Sequence, residues 1–136
     1  MITAVDSNVL IDVLSADPTF GPRSRSALRR VRDEGALLVC EVVWAEVIGA
    51  FPDLGATEAA LDRLTVGYSQ VGRAAATRAG IAWRSYRLAG GPRDRIVADF
   101  LVGAHALEQA DRLLTRDRGF HRTAFAGLTI IDPTQT

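Results

Sequence analysis

The chain has 136 residues, and its 16 basic and 16 acidic residues give a formal net charge of zero. A chain of this length is typical of a single domain, and it buries roughly two-thirds of the surface that is exposed when it is unfolded. The balanced charge argues against a protein that coats nucleic acid through bulk positive charge, although it permits a local basic rim. We therefore expect one domain over residues 1–136.

The hydrophobic pattern and the cysteine content indicate the cellular compartment in which the protein is expected. The chain contains no apolar run of about 18 residues, and the short apolar start reaches an acid, Asp6, at once. Cys40 is the only cysteine, so no disulfide can form within the chain. We expect a cytoplasmic protein that is not associated with a membrane.

The hydrophobic pattern alternates between strands and helices along the chain. In the first half of the chain we predict a strand over 2–5, a helix from Val9 to about Ser15, a helix from about Ser24 to Glu34, a strand over 36–40 and a helix from Glu41. In the middle we predict a helix near 57–64 that Thr57 caps, a weak strand within 65–71 and a helix over 73–88. The last part has a helix that starts after Gly90-Gly91-Pro92, a strand over 112–115, a turn over 116–120 and a last strand over 128–131.

Strands that alternate with helices are typical of an α/β fold with a mostly parallel sheet and helices on both of its faces. In such sheets, ligands bind beyond the carboxyl ends of the strands. The pattern places two acids at strand ends, since Asp6 closes the first strand and Asp117 follows the strand over 112–115. Glu46 lies on the helix after the second strand, and Asp99 lies early in the helix that precedes the Asp117 strand. The order of elements therefore allows four carboxylates to meet at one edge.

Asp99 is the only carboxylate in the apolar run Ile96–Leu107. An unpaired buried carboxylate is costly, so Asp99 must face a cleft, a cation or other polar groups. Converging carboxylates repel one another unless a cation lies between them, and Mg²⁺ and Mn²⁺ prefer oxygen ligands. A zinc site is not expected, because the single Cys and the two His residues lack ligand spacing. Magnesium or manganese held by acids is typical of phosphodiester chemistry.

Taken singly, each acid also has a structural interpretation. Asp6 and Asp117 suit the N-cap of a helix, and Glu46 suits a solvated helix surface. Asp99 has a possible ion pair with Arg95, four residues before it. His105 and His121 are interpreted as structural residues rather than ligands. The residues alone leave these alternatives open.

Four motifs taken together resemble the PIN-domain family, and specifically the VapC-type ribonuclease toxins of toxin–antitoxin pairs. In order, they are Asp6-Ser7-Asn8-Val9-Leu10, Trp44-Ala45-Glu46-Val47, the segment Ala98–Leu107 and the segment Leu114–Phe120. The resemblance covers essentially the whole chain and implies a PIN-like, Rossmann-like three-layer α/β/α fold. It further implies that Asp6, Glu46, Asp99 and Asp117 form the catalytic site, with Ser7, Asn8 and Thr115 in support.

The resemblance implies an endoribonuclease that cleaves single-stranded regions of tRNA or rRNA and leaves 5′-phosphate and 3′-hydroxyl ends. We expect Asp6, Asp99 and Asp117 to hold Mg²⁺ or Mn²⁺ directly or through water. Glu46 either orients a metal-bound water or supports the metal ligands from outside. Three arginines that flank the acids are candidate contacts for RNA phosphates, namely Arg95, Arg116 and Arg118.

The family's partners are expected as well: a homodimer or a toxin–antitoxin hetero-oligomer, and a cognate VapB-type antitoxin that reaches the acidic pocket. The apolar helices over 43–51 and 59–64, with Val47 and Leu61, are the expected antitoxin groove.

Three other classes of protein compete with this interpretation. A phosphorylated receiver domain needs a lysine, and all 16 basic residues of this chain are arginine. A magnesium-dependent phosphatase of the haloacid-dehalogenase type needs a second acid two residues after its nucleophile, where this chain has Asn8. A catalytically silent PIN fold that binds RNA or protein is the non-enzymatic alternative, and the presence of all four acids argues against it.

Overall fold

The computed structural model describes residues 1–135. Its elements in chain order are β1 (Ile2–Val5), α1 (Ser7–Leu14), α2 (Gly21–Glu34), β2 (Ala36–Val39), α3 (Glu41–Gly49), α4 (Leu54–Arg63), β3 (Val66–Tyr68), α5 (Arg73–Leu88), α6 (Val97–Gln109), β4 (Arg112–Leu114), α7 (Arg118–Ala124) and β5 (Ile130–Ile131). All the strand pairs are parallel, and the strand order is β3-β2-β1-β4-β5. The predicted α/β fold with a parallel central sheet is confirmed.

The central strand β1 determines where a ligand site can form. It pairs with β2 on one side and with β4 on the other, so the order of the strands reverses at β1. Val5 lies opposite Leu114 in the β1–β4 pair. The residues that follow these two strands therefore emerge side by side, at the switch point where parallel sheets bind ligands.

Two apolar clusters hold the layers together. The larger one joins the sheet to α1, α2 and α3 and includes Val5, Val9 and Leu114. The smaller one joins α5, α6 and α7 around Phe100, which is fully buried and makes edge-on contacts with three other aromatic rings. These clusters place the start of α6 and the start of α7 beside the carboxyl end of the sheet.

Several predicted boundaries were wrong at helix starts. Helix α6 begins at Val97 rather than directly after Pro92, because Ile96 has an extended backbone and the Asp99 carboxylate accepts a hydrogen bond from its N–H at 2.9 Å. Helix α4 begins at Leu54, because Asp53 rather than Thr57 caps it.

Two other helices also begin earlier than the pattern predicts. Asp6 is the N-cap of α1, which therefore begins at Ser7 rather than Val9. Helix α2 begins at Gly21, with Pro22 in its first turn, a position where proline's missing N–H costs no helical hydrogen bond. These shifts leave the order of the elements unchanged.

The predicted turn over 116–120 was also wrong, since a short helix, α7, begins at Arg118. Its first turn is closed by a hydrogen bond from the His121 N–H to the Asp117 carbonyl oxygen at 3.3 Å. None of the helices in residues 1–135 has both the length and the apolar character needed to span a bilayer.

Candidate active site

A small polar cavity of about 100 Å³ lies at the carboxyl ends of β1 and β4, and we call it the acidic cavity. The four predicted acids all line it, although they come from four distant parts of the chain. The lining residues are Asp6, Ser7, Asn8, Glu46, Asp99, Val102, Asp117 and His121.

Asp6 is the most buried of the four acids, with 8% of its surface exposed. Its carboxylate accepts hydrogen bonds from the Ser7 N–H at 2.8 Å and from the Thr115 hydroxyl at 2.8 Å, and His121 Nε2 lies 3.4 Å from it. Burial alone would raise the pKa of Asp6, but the contacts with His121, Thr115 and Ser7 outweigh it and hold that pKa below 3.8. Asp6 is therefore an anion at neutral pH.

Two further predicted residues, Asn8 and Thr115, connect Asp6 to the neighbouring strand end. The Asn8 side-chain amide donates to the Thr115 hydroxyl at 3.3 Å, and its carbonyl oxygen accepts from the Arg116 N–H at 3.1 Å. The fully buried Thr115 hydroxyl oxygen also accepts from the Asp117 N–H at 2.9 Å. This network fixes the backbone of Asp117 relative to the carboxylate of Asp6.

Glu46 reaches the cavity from α3, and the Ser7 hydroxyl donates to its Oε1 at 3.1 Å. Partial desolvation raises the pKa of Glu46 above 4.5, and the negative charges of Asp6 and Asp99 add to this effect against the Ser7 hydrogen bond. The raised pKa of Glu46 therefore comes mainly from desolvation, and the repulsion between carboxylates that share a site makes a smaller contribution.

Asp99 and Asp117 are each engaged by a nearby group. The Asp99 carboxylate caps α6 through the Ile96 N–H. Both oxygens of Asp117 accept hydrogen bonds from the Arg95 guanidinium, at 3.0 Å for the Nη2 bond. The structural alternative for Asp99, an ion pair with Arg95, is not what the structure shows, because Arg95 lies before the first residue of α6 and binds Asp117 instead.

None of the three arginines that were expected to contact phosphates is among the residues that line the acidic cavity, although Arg95 binds Asp117, which does line it. The Arg116 guanidinium donates to both oxygens of the buried Asp12, at 2.7 and 3.1 Å, and stacks 3.9 Å from the centre of the Phe20 ring. Arg116 therefore holds α1 to the end of β4. Arg118 is the first residue of α7 and does not line the cavity.

His121 is the cavity residue that the sequence analysis did not assign to the site. Only 2% of its surface is exposed, and its Nε2 faces Asp6. The signal for it was its position four residues after Asp117, which places both on one face of a helix. That signal was lost because the segment was predicted to be a turn.

The donor set fits a hard divalent cation in its chemistry, since the cavity presents carboxylate oxygens and no thiolate. Within residues 1–135, however, no three acidic, His or Cys side chains are arranged closely enough to be a ready coordination sphere. Two of the acids have other partners, since the Arg95 guanidinium binds both oxygens of Asp117 and one oxygen of Asp99 caps α6.

The fold and the acidic cavity define an α/β protein with a carboxylate site at the switch point of a parallel sheet. The model of the PIN domain family matches residues 3–126, and the chain belongs to that family. The resemblance noted in the sequence is thereby confirmed at the level of the family. A search of curated proteins finds no significant match.

Several solved structures of toxin–antitoxin complexes share the fold over nearly the whole chain. VapBC-1 from nontypeable Haemophilus influenzae is 17% identical, with a TM-score of 0.76 over 99% of this chain and 100% of that chain. VapBC2 from Rickettsia felis, bound to a promoter DNA fragment, is 17% identical, with a TM-score of 0.75 over 97% and 98%. A toxin–antitoxin complex from Klebsiella pneumoniae is 21% identical, with a TM-score of 0.66 over 96% and 97%.

Proposed function

We propose that this PIN-domain protein is a VapC-type toxin, an endoribonuclease that depends on Mg²⁺ or Mn²⁺ and cleaves single-stranded regions of tRNA or rRNA. The observation that carries the proposal is the meeting of Asp6, Glu46, Asp99 and Asp117 around one cavity of a PIN fold. The similar folds of the toxin–antitoxin complexes support the assignment to a toxin.

Asp6, Asp99 and Asp117 would hold the divalent ion, which when bound neutralises the charge of the phosphodiester and activates water. Thr115 and Asn8 keep the Asp6 carboxylate and the Asp117 backbone in a fixed relation, so the Asp6 ligand is positioned before a cation enters, whereas the Asp117 carboxylate is bound by Arg95. His121 Nε2, 3.4 Å from the Asp6 carboxylate, helps to position it.

Glu46 is suited to accept the proton of the attacking water. Its Oε1 accepts a hydrogen bond from the Ser7 hydroxyl, a contact that does not use Oε2, and Glu46 lines the acidic cavity. Its raised pKa makes it a better proton acceptor than an ordinary surface glutamate. In the proposed reaction the water would give a proton to Glu46 as its oxygen bonds to phosphorus, the bond between phosphorus and the 3′ oxygen would break, and the 3′ oxygen would take up a proton from solvent.

Substitution Asp99→Asn tests the proposal, because it removes a charge from the cavity while keeping the size of the side chain. We expect cleavage by the purified variant to fall about a hundredfold or more, while binding of the same RNA is retained. The measurement is the mapping of new RNA 5′ ends after induced expression, together with cleavage of purified tRNA and rRNA in Mg²⁺ or Mn²⁺.

The matched control is Asp33→Asn, the same change at an exposed residue near the end of α2. It should cleave as the wild type does. Cleavage by Asp99→Asn at the wild-type rate, or wild-type cleavage that survives complete removal of divalent ions by a chelator, would overturn the proposed function.

The Arg95–Asp117 pair favours one alternative, a PIN fold that binds RNA or protein without cleaving it. In that case the guanidinium would be a permanent substitute for the metal. The same cleavage assay separates the two functions, because the silent module would produce no new 5′ ends in either the wild type or the variants.

A VapB-type antitoxin and a second copy of the chain are the partners that we propose, in a homodimer or a toxin–antitoxin hetero-oligomer. The surface expected for the antitoxin needs one correction, since Val47 and Leu61 are fully buried in the main apolar cluster. These two residues stabilise the fold and cannot form the floor of an open groove. Leu54, which begins α4 and is 56% exposed, is available to a partner on that side.

A further inference from the structure

The Arg95 guanidinium binds Asp117, a carboxylate that the proposed function assigns to the metal ion. We propose that Arg95 is a resident counter-ion of the acidic cavity, which occupies Asp117 in the metal-free protein and must be displaced before a divalent cation can use that carboxylate. This inference rests on the proposed function, because it assumes that Asp117 is a metal ligand.

The contact is a two-pronged one that a guanidinium makes well. Nη1 and Nη2 of Arg95 each donate to one Asp117 oxygen, and both side chains are about two-thirds shielded from solvent, with 27% and 32% of their surfaces exposed. The guanidinium also lies 4.3 Å from the centre of the Phe120 ring. Bidentate, partly desolvated pairs are among the stronger ion pairs in proteins.

The Asp117 carboxylate differs from the other carboxylates of the cavity because its hydrogen-bond partner is an arginine side chain. Within residues 1–135, its side-chain oxygens accept hydrogen bonds from Arg95 alone, whereas those of Asp6 accept from Ser7 in α1 and from Thr115, the residue after β4. The backbone of Asp117 is held separately, by the Thr115 hydroxyl and the His121 N–H. Removal of Arg95 would therefore free the carboxylate without releasing the segment that carries it.

There is open space beside the guanidinium that releases Asp117. Arg95 and Phe120 both line a second cavity, of about 730 Å³. The preceding part of the loop has an anchor of its own, because the Tyr86 hydroxyl donates to the Pro92 carbonyl oxygen at 2.5 Å. We infer that a released Arg95 side chain would occupy the larger cavity while that anchor remains.

The consequence is a competition for Asp117. A divalent ion carries twice the charge of the guanidinium and takes carboxylate oxygens from several residues at once. It prevails when its concentration is high enough, and its apparent affinity is lowered by the stability of the pair that it must break. Metal binding and the release of Arg95 are therefore one coupled event.

The test is a titration of the full chain with Mn²⁺ alone, in which the electron paramagnetic resonance signal of the free ion reports the bound fraction. We expect Arg95→Gln to bind Mn²⁺ about tenfold more tightly than the wild type. Arg95→Lys keeps the charge but loses the planar fork, and we expect its affinity to lie between the two.

The matched control is Arg93→Gln, which removes the same charge from an exposed residue of the same loop that, within residues 1–135, forms no ion pair with an acid of the cavity. It should bind Mn²⁺ as the wild type does. An equal gain in affinity in Arg93→Gln and Arg95→Gln, with no gain in Arg95→Lys, would mean that only the net charge matters and would overturn the inference.

The remaining outcomes separate this inference from the proposed function. If the wild type binds Mn²⁺ through Asp99, as shown by weaker binding in Asp99→Asn, but Arg95→Gln binds it no more tightly, the counter-ion is disproved and the metal site stands. If neither the wild type nor Arg95→Gln binds Mn²⁺, the metal site itself fails, and the counter-ion role fails with it.

Discussion

Asp6 keeps its charge in a nearly buried position because its partners come from three segments of the chain. Ser7 is its neighbour, but Thr115 and His121 lie more than a hundred residues away and reach it only through the pairing of β1 with β4 and through α7. Sequence pattern predicted that Asp6 ends a strand, because an apolar run stops there. It could not predict the His121 contact, because no local pattern encodes a pairing across such a distance.

His105 is a second buried histidine, on α6, and it makes stability depend on pH. Burial lowers its pKa below the usual 6.5, against the opposing effects of Glu41 and the Ser69 backbone. Since the unfolded chain then binds a proton more readily than the folded one, stability falls as the pH drops below 6.5 towards the folded pKa. The loss is at most about 1.4 kcal/mol per pH unit.

Urea unfolding of the wild type and of His105→Gln between about pH 7.5 and about pH 5.5 measures this effect. We expect the variant to lose less free energy of unfolding over that range, whatever its stability at the upper end. Equal losses in the two proteins would show that His105 does not cause the acid sensitivity.

At the scale of elements, α6 lies close to α7 because Gly103 has no side chain. A Cβ atom there would lie 2.8 Å from His121 Nδ1 and would also overlap the Phe125 ring. We expect Gly103→Ala to lower the free energy of unfolding by about 1–3 kcal/mol, because Phe125 and His121 must move to make room. Chemical denaturation measures the change.

Gly80 on α5 is the matched control, because a Cβ added to it meets no atom within 4 Å. Gly80→Ala should raise stability by about 0.5–1 kcal/mol, since alanine favours a helix more than glycine does. A Gly103→Ala variant as stable as Gly80→Ala would mean that the contact between α6 and α7 is loose.

The helices and strands that were predicted best from the sequence are those whose first and last residues are determined by their neighbours along the chain. Helix α5 has the predicted limits, Arg73 and Leu88, because its pattern continues until Ala89 and Gly90 end it. Helix α7 was missed because it is only seven residues long and contains Gly119, which favours a turn in isolation. Its stability comes from the packing of Phe120 and Phe125 against Phe100, a tertiary contact.

At the scale of the whole molecule, the alternation of strands and helices was enough to predict that the acids gather at one edge. A parallel sheet brings all the carboxyl ends of its strands together, whichever strands are neighbours. Which cation meets which acid was not predictable, and the Arg95 contact depends on a shift of only four residues in the start of α6. The residue types thus indicate the kind of site, whereas the pairing of each carboxylate with a cation depends on the fold.

We expect the proposed homodimer to form through a surface on α5. Ile81 and Leu88 lie seven residues apart on the same side of this helix, and 64% and 74% of their surfaces are exposed. We expect the double substitution Ile81→Glu with Leu88→Glu to convert the dimer to a monomer, because it places charges within an apolar contact. Sedimentation equilibrium or light scattering after gel filtration measures the mass. Ala76→Glu, at an exposed residue on another side of α5, should leave the dimer intact, and a double variant that remains dimeric would exclude α5 as the interface.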